Sequence, residues 1–193
     1  MTDPGAGLMD AREPFDSTIT QAREGHPNAL ERLYRDLHPP ILRYLRAFEA
    51  AEAEDLASEV WLDVITSLDR FRGDERGFRA WAFTIARSRL ADLRRRRSRR
   101  ATSPASPEEL DRHARSRDVE EEALAELGTE EALRRIAELS RDQAEVVLLR
   151  VLGGLGVREV GAIMRKRPGT VRVLQHRALR RLAEQVTRVE VTE

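Results

Sequence analysis

The chain has 193 residues, 34 basic and 34 acidic, for a formal charge of zero, with 5% aromatic residues and no cysteine. That length suits one medium domain or two small ones. Without cysteine there are no disulfides, thiolate metal sites or thiol catalysis, and a neutral total means that any binding of a polyanion must come from locally segregated charge.

No apolar run approaches a membrane span, and the polar, mixed-charge opening does not read as a signal peptide. A cytoplasmic protein with no membrane insertion is expected. Abundant Ala, Leu, Glu and Arg favour an all-α chain. The basic residues are almost all arginine, Lys166 being the only lysine, a bias that a GC-rich genome explains.

Residues 1–25 carry Gly, Pro and scattered acids, and are expected to be mostly disordered apart from a short helix near Phe15–Glu24. A helical pattern begins near Asn28 with Leu30, Leu33, Tyr34 and Leu37, and resumes at Ile41, Leu42 and Leu45. His38-Pro39-Pro40 predicts a kink or short break between the two stretches. A second helix is expected from about Glu52 to Asp69, with Leu56, Val60, Val64 and Leu68 recurring every fourth residue and Trp61 and Ile65 alongside. A turn at 71–77 leads to a third helix near Phe78–Arg97, with Trp81, Ala82, Ile85, Ala86, Leu90 and Leu93 inward. Phe83 lies off that face and reads as an exposed ring. The helix runs into six arginines in seven residues, Arg94–Arg100.

The composition then changes. Residues 101–128 form an acid-rich linker that opens with two Ser-Pro pairs and divides the chain into units at 26–100 and 129–187, with a tail at 188–193. On charge alone the linker is either a solvated tether or a mimic of RNA in a basic channel. In the second unit, Ser140 and Gln143 have capping-box spacing. Gly153, Gly154 and Gly156 end the helix over 146–152. A basic turn and an arginine-studded last helix follow. From Arg158 to Arg181 eight basic residues face one acid, Glu159, which suits a helix-turn-helix that reads nucleic acid. Val171, Leu174, Ala178 and Leu182 make its apolar stripe. Thr170, Arg172 and Val173, near the helix start, are the candidates for base edges. Arg165, Lys166, Arg167, Arg177 and Arg180 suit phosphates, with His176 on the same outer face. Arg167-Pro168 starts this helix without a Ser cap, because proline suits the first helical position.

The four histidines have no ligand spacing, so no metal or other cofactor is expected. No nucleophile–base set occurs. Gly153-Gly154-Leu155-Gly156 lacks the Gly-Lys-Ser/Thr of a P-loop, so the chain does not read as an enzyme.

Three stretches together resemble one family. They are Asp55-Leu56-Ala57-Ser58-Glu59-Val60-Trp61, then Phe71-Arg72-Gly73 with Phe78–Arg87, then the helix-turn-helix with Gly169-Thr170-Val171-Arg172 and His176-Arg177-Ala178. Their order and spacing resemble the extracytoplasmic-function (ECF) group of sigma-70 factors of bacterial RNA polymerase. That resemblance implies two helical domains, σ2-like and σ4-like, and non-enzymatic promoter recognition. Asp55, Leu56, Glu59, Val60 and Trp61 would bind the β′ clamp helices of core polymerase. Phe71, Arg72, Asp74, Arg76, Trp81, Phe83, Arg87, Ser88, Asp92 and Arg95 would melt and hold the −10 element. The helix-turn-helix residues named above would read the −35 duplex while its domain contacts the β flap. Many members of the group are held by an anti-sigma factor, which adds a candidate partner. The chain departs from the family at Ser58, where Gln is frequent, and at Leu174-Gln175, where Arg-Leu is common. A dimeric duplex-binding regulator would explain the helix-turn-helix, but would leave Asp55–Trp61 and the Trp81 segment without a task.

Overall fold

The computed structural model describes residues 14–101, 132 and 134–190, and within them the chain is all-α, with no strand. The expected acidic linker beyond Ala101, the first 13 residues and the last three lie outside the described residues. The helices are α1 (Phe15–Arg23), α2 (Pro27–Arg46), α3 (Ala53–Ser67), α4 (Glu75–Ala101), α5 (Arg141–Val151), α6 (Val157–Met164) and α7 (Pro168–Glu190).

The short helix expected near Phe15–Glu24 is α1, which joins the first unit. Ile19 and Ala22 are buried, and the Phe15 ring lies 5.7 Å from Phe78. The Arg23 guanidinium donates to the carbonyl of Phe71 across the unit, tying α1 to the turn before α4. Of the kink or short break expected at Pro39 and Pro40, the break is absent: helix α2 runs on through both prolines. Proline removes a donor, which frees the carbonyls four residues back. Those belong to Arg35 and Asp36, both on the exposed side, where water can satisfy them while Leu33, Leu37 and Ile41 hold the buried stripe.

Helix α3 buries the expected stripe of Leu56, Val60 and Val64, continued by Leu68 in a 3-10 turn, Leu68–Arg70. Helix α4 begins earlier than the expected turn allowed. Asp74 caps it, its Oδ1 accepting the Gly77 N–H at 2.7 Å, which satisfies one of the free donors at a helix start. In the second unit the Ser140–Gln143 capping box is present, with the Ser140 N–H donating to Gln143 Oε1 at 3.2 Å. Gly154 has φ +62°, the left-handed conformation that glycine adopts without steric cost.

The turn between α6 and α7 is built differently from the turn after α5. Arg165, not a glycine, takes the left-handed conformation at φ 55°. The close approach falls on Gly161, where an added Cβ would sit 2.7 Å from the Lys166 carbonyl oxygen. Backbone cannot swing aside as a flexible side chain can. Gly161→Ala is therefore expected to force the turn open and cost about 1–3 kcal/mol, the usual range for overpacking. Urea denaturation would check this, and an unchanged midpoint would refute the close approach.

The two units share one continuous apolar cluster, which runs from Tyr44, Phe83 and Leu90 of the first to Val146, Leu149 and Val160 of the second.

Candidate nucleic-acid interface

The outer face of α7 follows from its apolar stripe. Val171 and Ala178 are fully buried and Leu174 and Leu182 partly so. That leaves Thr170, Arg172, Val173, His176, Arg177 and Arg180 exposed together. Pro168 occupies the first helical position, with Arg167 before it. Arg165 and Arg167 are exposed at the helix start, and Lys166 is partly buried, its Nζ 2.9 Å from Asp142. Arg180 pairs along the helix with Glu184 at 3.0 Å, an exposed pair of little energetic weight. Every residue assigned to this face from sequence, Lys166 apart, is solvent-exposed.

Helix α4 divides its candidates between two faces, because residues seven and eleven apart return to nearly the same side of a helix. Arg76, Phe83 and Arg87 share one side, and Trp81, Ser88, Asp92 and Arg95 share another, well round the helix. The second side is open. Ser88 and Arg95 are exposed, Asp92 and Trp81 are half-buried, and Arg95 pairs with Asp92. Thr84, which the sequence reading missed, is exposed on this open side; its place four residues before Ser88 was the available signal.

The first side of α4 faces inward. Phe83, expected to be an exposed ring, is 0% exposed, with Tyr44 edge-on at 5.5 Å. An aromatic ring that fills a core cannot stack on a base. Phe71 is buried as well, stacked on Trp81 at 5.3 Å and edge-on to Phe78. Trp81 is thus held by rings beneath it while one side stays open. Arg72 donates to the Phe71 carbonyl at 2.7 Å and so braces its own loop.

The acidic segment of α3 also needs correcting. Leu56, Val60 and Trp61, expected to border a docking face, are buried at 2%, 0% and 7% exposure. They are core because a four-residue repeat marks the side of the helix that packs inward. Glu59 is half-buried and paired with Arg89 at 3.1 Å, and Arg89 also donates through Nε to Asp63 at 2.6 Å. The hydrogen bond to Asp63, outweighing partial burial, raises the Arg89 pKa. Asp55 remains exposed, and with Ser58 and Leu62 it forms a surface ridge at spacings of three and four residues. Leu62 is 64% exposed and Ile65 49%. Beside them lies a shallow apolar groove lined by Leu30, Tyr34, Trp61 and Val64. Sequence reading missed Leu62, whose signal was its place opposite the Leu56–Val60–Val64 stripe.

Arg94 and Arg97 of α4 are not free tails. Arg94 pairs with Glu49 at 3.0 Å, and Arg97 pairs with Glu49 at 2.5 Å and with Glu52. These contacts fasten α4 to the turn before α3, which leaves less of its charge for phosphates than the bare arginine count implies.

Among the described residues, no helix is long and apolar enough to cross a membrane. Two family descriptions match the chain: Sigma-70 region 2 over residues 33–100 and Sigma-70, region 4 over residues 129–182. The ECF RNA polymerase sigma factor ShbA of Streptomyces griseus is 38% identical over 182 residues, covering 90% of this chain and 95% of that protein. The ECF sigma factor SigD of Mycobacterium tuberculosis is 34% identical over 182 residues, covering 90% of this chain and 84% of that protein. Among solved structures, CnrH in complex with the cytosolic domain of CnrY matches with TM-score 0.62 at 20% identity, covering 90% of this chain and 97% of that one. RpoE of Bartonella quintana, solved with the anti-sigma factor NepR, matches with TM-score 0.60 at 22% identity, covering 81% and 96%. At those identities the structures speak for the fold alone. With a region 2 match on the unit that carries α3 and α4, a region 4 match on the helix-turn-helix, and relatives above 30% identity along nearly the whole chain, this protein belongs to the ECF sigma factors of the sigma-70 family.

Proposed function

We propose that this sigma factor reads the −35 duplex with the exposed face of α7, holds the −10 element on the open side of α4, and docks on core polymerase through the ridge of α3. The observation that carries the proposal is the outer face of α7, where six residues suited to base edges and phosphates stand exposed together, with Leu179 exposed at its edge. Thr170, Arg172 and Val173, near the helix start, are placed to meet base edges, while Arg165, Arg167, Arg177 and Arg180 supply phosphate contacts. Trp81, Ser88, Asp92 and Arg95, with Thr84, make a polar side with one partly open ring, which suits a separated strand. The α3 ridge of Asp55, Ser58 and Leu62 pairs one acid with exposed apolar surface, which suits the β′ clamp helices; the second unit would meet the β flap. The protein would act in the cytoplasm and perform no catalysis of its own.

Run-off transcription with purified core polymerase on genomic fragments tests this reading. Discrete transcripts that require the protein are expected, and their absence would overturn it. Arg172→Ala is expected to weaken discrimination among −35 sequences by roughly 1–3 kcal/mol, the worth of a good base contact. An equal loss on every promoter would make Arg172 a phosphate contact instead. RpoE is solved with an anti-sigma factor. We extend that to this chain as a third partner, whose competition with core polymerase would be read by co-purification.

A further inference from the structure

A cavity of about 270 Å³ opens between α1, α2 and the start of α4. It lies on a third side of α4, apart from both the open and the inner sides. The Phe15 and Phe78 rings line it, tilted at 49° with centroids 5.7 Å apart, together with the buried side chains of Leu33 and Leu37. Thr18 of α1 lines it too. Thr18 is 3% exposed, and among the described residues its hydroxyl has no hydrogen-bond partner. A hydroxyl buried in this way costs free energy that a polar atom of an occupant would recover. The outer lining is charged, with both signs in equal number. Arg32 and Asp36 stand one turn apart on α2, and Glu75 and Arg79 one turn apart on α4. Glu75 and Arg79 pair only loosely, at 3.8 Å.

We infer that this cavity binds a free aromatic amino acid with a polar tip, and that its occupant bears on the −10 face. Size, ring chemistry and charge each narrow the class. Sites for drug-sized molecules run from about 300 Å³ upward, so the occupant is smaller than those. A third ring extends the pair of Phe15 and Phe78, since aromatic groups pack well in tilted contacts. The Thr18 hydroxyl can donate or accept, so it suits a phenol hydroxyl at the inner end of that ring. Two carboxylates on the outer lining repel a phosphate, and two guanidinium groups repel a bare amine. A zwitterion satisfies both signs, its carboxylate on Arg32 or Arg79 and its ammonium group on Asp36 or Glu75. Phe78 also packs against Trp81, with centroids 5.7 Å apart. An occupant that fixes the Phe78 ring therefore steadies the ring of the open side. That second effect rests on the promoter reading proposed above, whereas binding itself does not.

Titration of the isotope-labelled full chain with L-tyrosine, followed by NMR, tests the site. The amide signals of Thr18 and Phe78 are expected to shift together and to saturate. Tyramine, which lacks the carboxylate, and desaminotyrosine, which lacks the ammonium group, should each bind more weakly. Thr18→Val keeps the shape of the side chain and removes the unpartnered hydroxyl. It should weaken tyrosine binding by about tenfold, the worth of a buried hydrogen bond, while the urea midpoint of the free protein holds or rises. No shift at Thr18 and Phe78 would overturn the site, and so would unchanged affinity in Thr18→Val. A lower midpoint in that variant would show that the hydroxyl already has a structural partner, which also overturns it. Equal binding of tyramine or desaminotyrosine would overturn the zwitterion. Run-off transcription with and without tyrosine separates the two ideas. Binding with unchanged transcription sinks the link to the −10 face, whereas binding by a protein that never supports transcription sinks the promoter reading and leaves the site standing.

Discussion

Asp55→Arg combined with Leu62→Asp is expected to lower affinity for core RNA polymerase by roughly 100-fold or more, with no loss of fold. Each residue is an exposed member of the α3 ridge, and a central interface residue is commonly worth about 1.5–2 kcal/mol or more when lost. Two such losses, at ~1.4 kcal/mol per tenfold, give that factor. The pair avoids a confusion that Glu59 would introduce. Glu59 helps hold Arg89 against α3, so reversing its charge would damage packing and docking together. Binding of purified core polymerase by surface-immobilised protein would measure the loss, and a thermal melt would verify the fold. Full affinity in the double variant would move the docking face elsewhere. Leu56→Asp makes the contrast, because it places a charge at a core position and should unfold the first unit instead.

Phe83→Ala should destabilise the protein by about 3–5 kcal/mol, the range for removing a buried aromatic ring. The ring is fully enclosed and makes edge contact with Tyr44, whose hydroxyl joins the units by donating to Glu145 of α5. Burial also pushes the Tyr44 hydroxyl well above its usual pKa, with the Glu145 charge and hydrogen bond adding to that. Tyr44 therefore stays a neutral donor across the physiological range, and a cavity beside it would loosen both the core and the joint. For a domain stable by about 5–15 kcal/mol, such a loss is a large share of the total. Urea denaturation followed by circular dichroism would measure it. A ring that stacked on bases would behave oppositely, with an unchanged midpoint and weaker binding of single-stranded DNA by about 1–3 kcal/mol.

By itself the sequence determined the helical class, the stripe of α3, the capping box of α5, and the outer face of α7. Each of these depends on periodicity or on a local hydrogen bond, which neighbours in the chain specify. The α7 face was legible because Val171, Leu174, Ala178 and Leu182 are the residues that pack, so the remainder had to face outward. The same logic misplaced Phe83, because α4 is enclosed on more than one side and a single inward stripe does not describe it. It also assigned Leu56, Val60 and Trp61, which are buried, to a docking surface that we propose lies on the exposed Asp55, Ser58 and Leu62. Pro39 and Pro40 read as a break until packing showed that the carbonyls they free face water. Tertiary structure alone decided which arginines of α4 are occupied. Arg87 meets Glu145 across 58 positions of sequence and Arg76 meets Glu159 across 83. Contacts at such separations leave no local periodicity, since the second unit brings its carboxylates to these arginines only when the chain has folded onto itself.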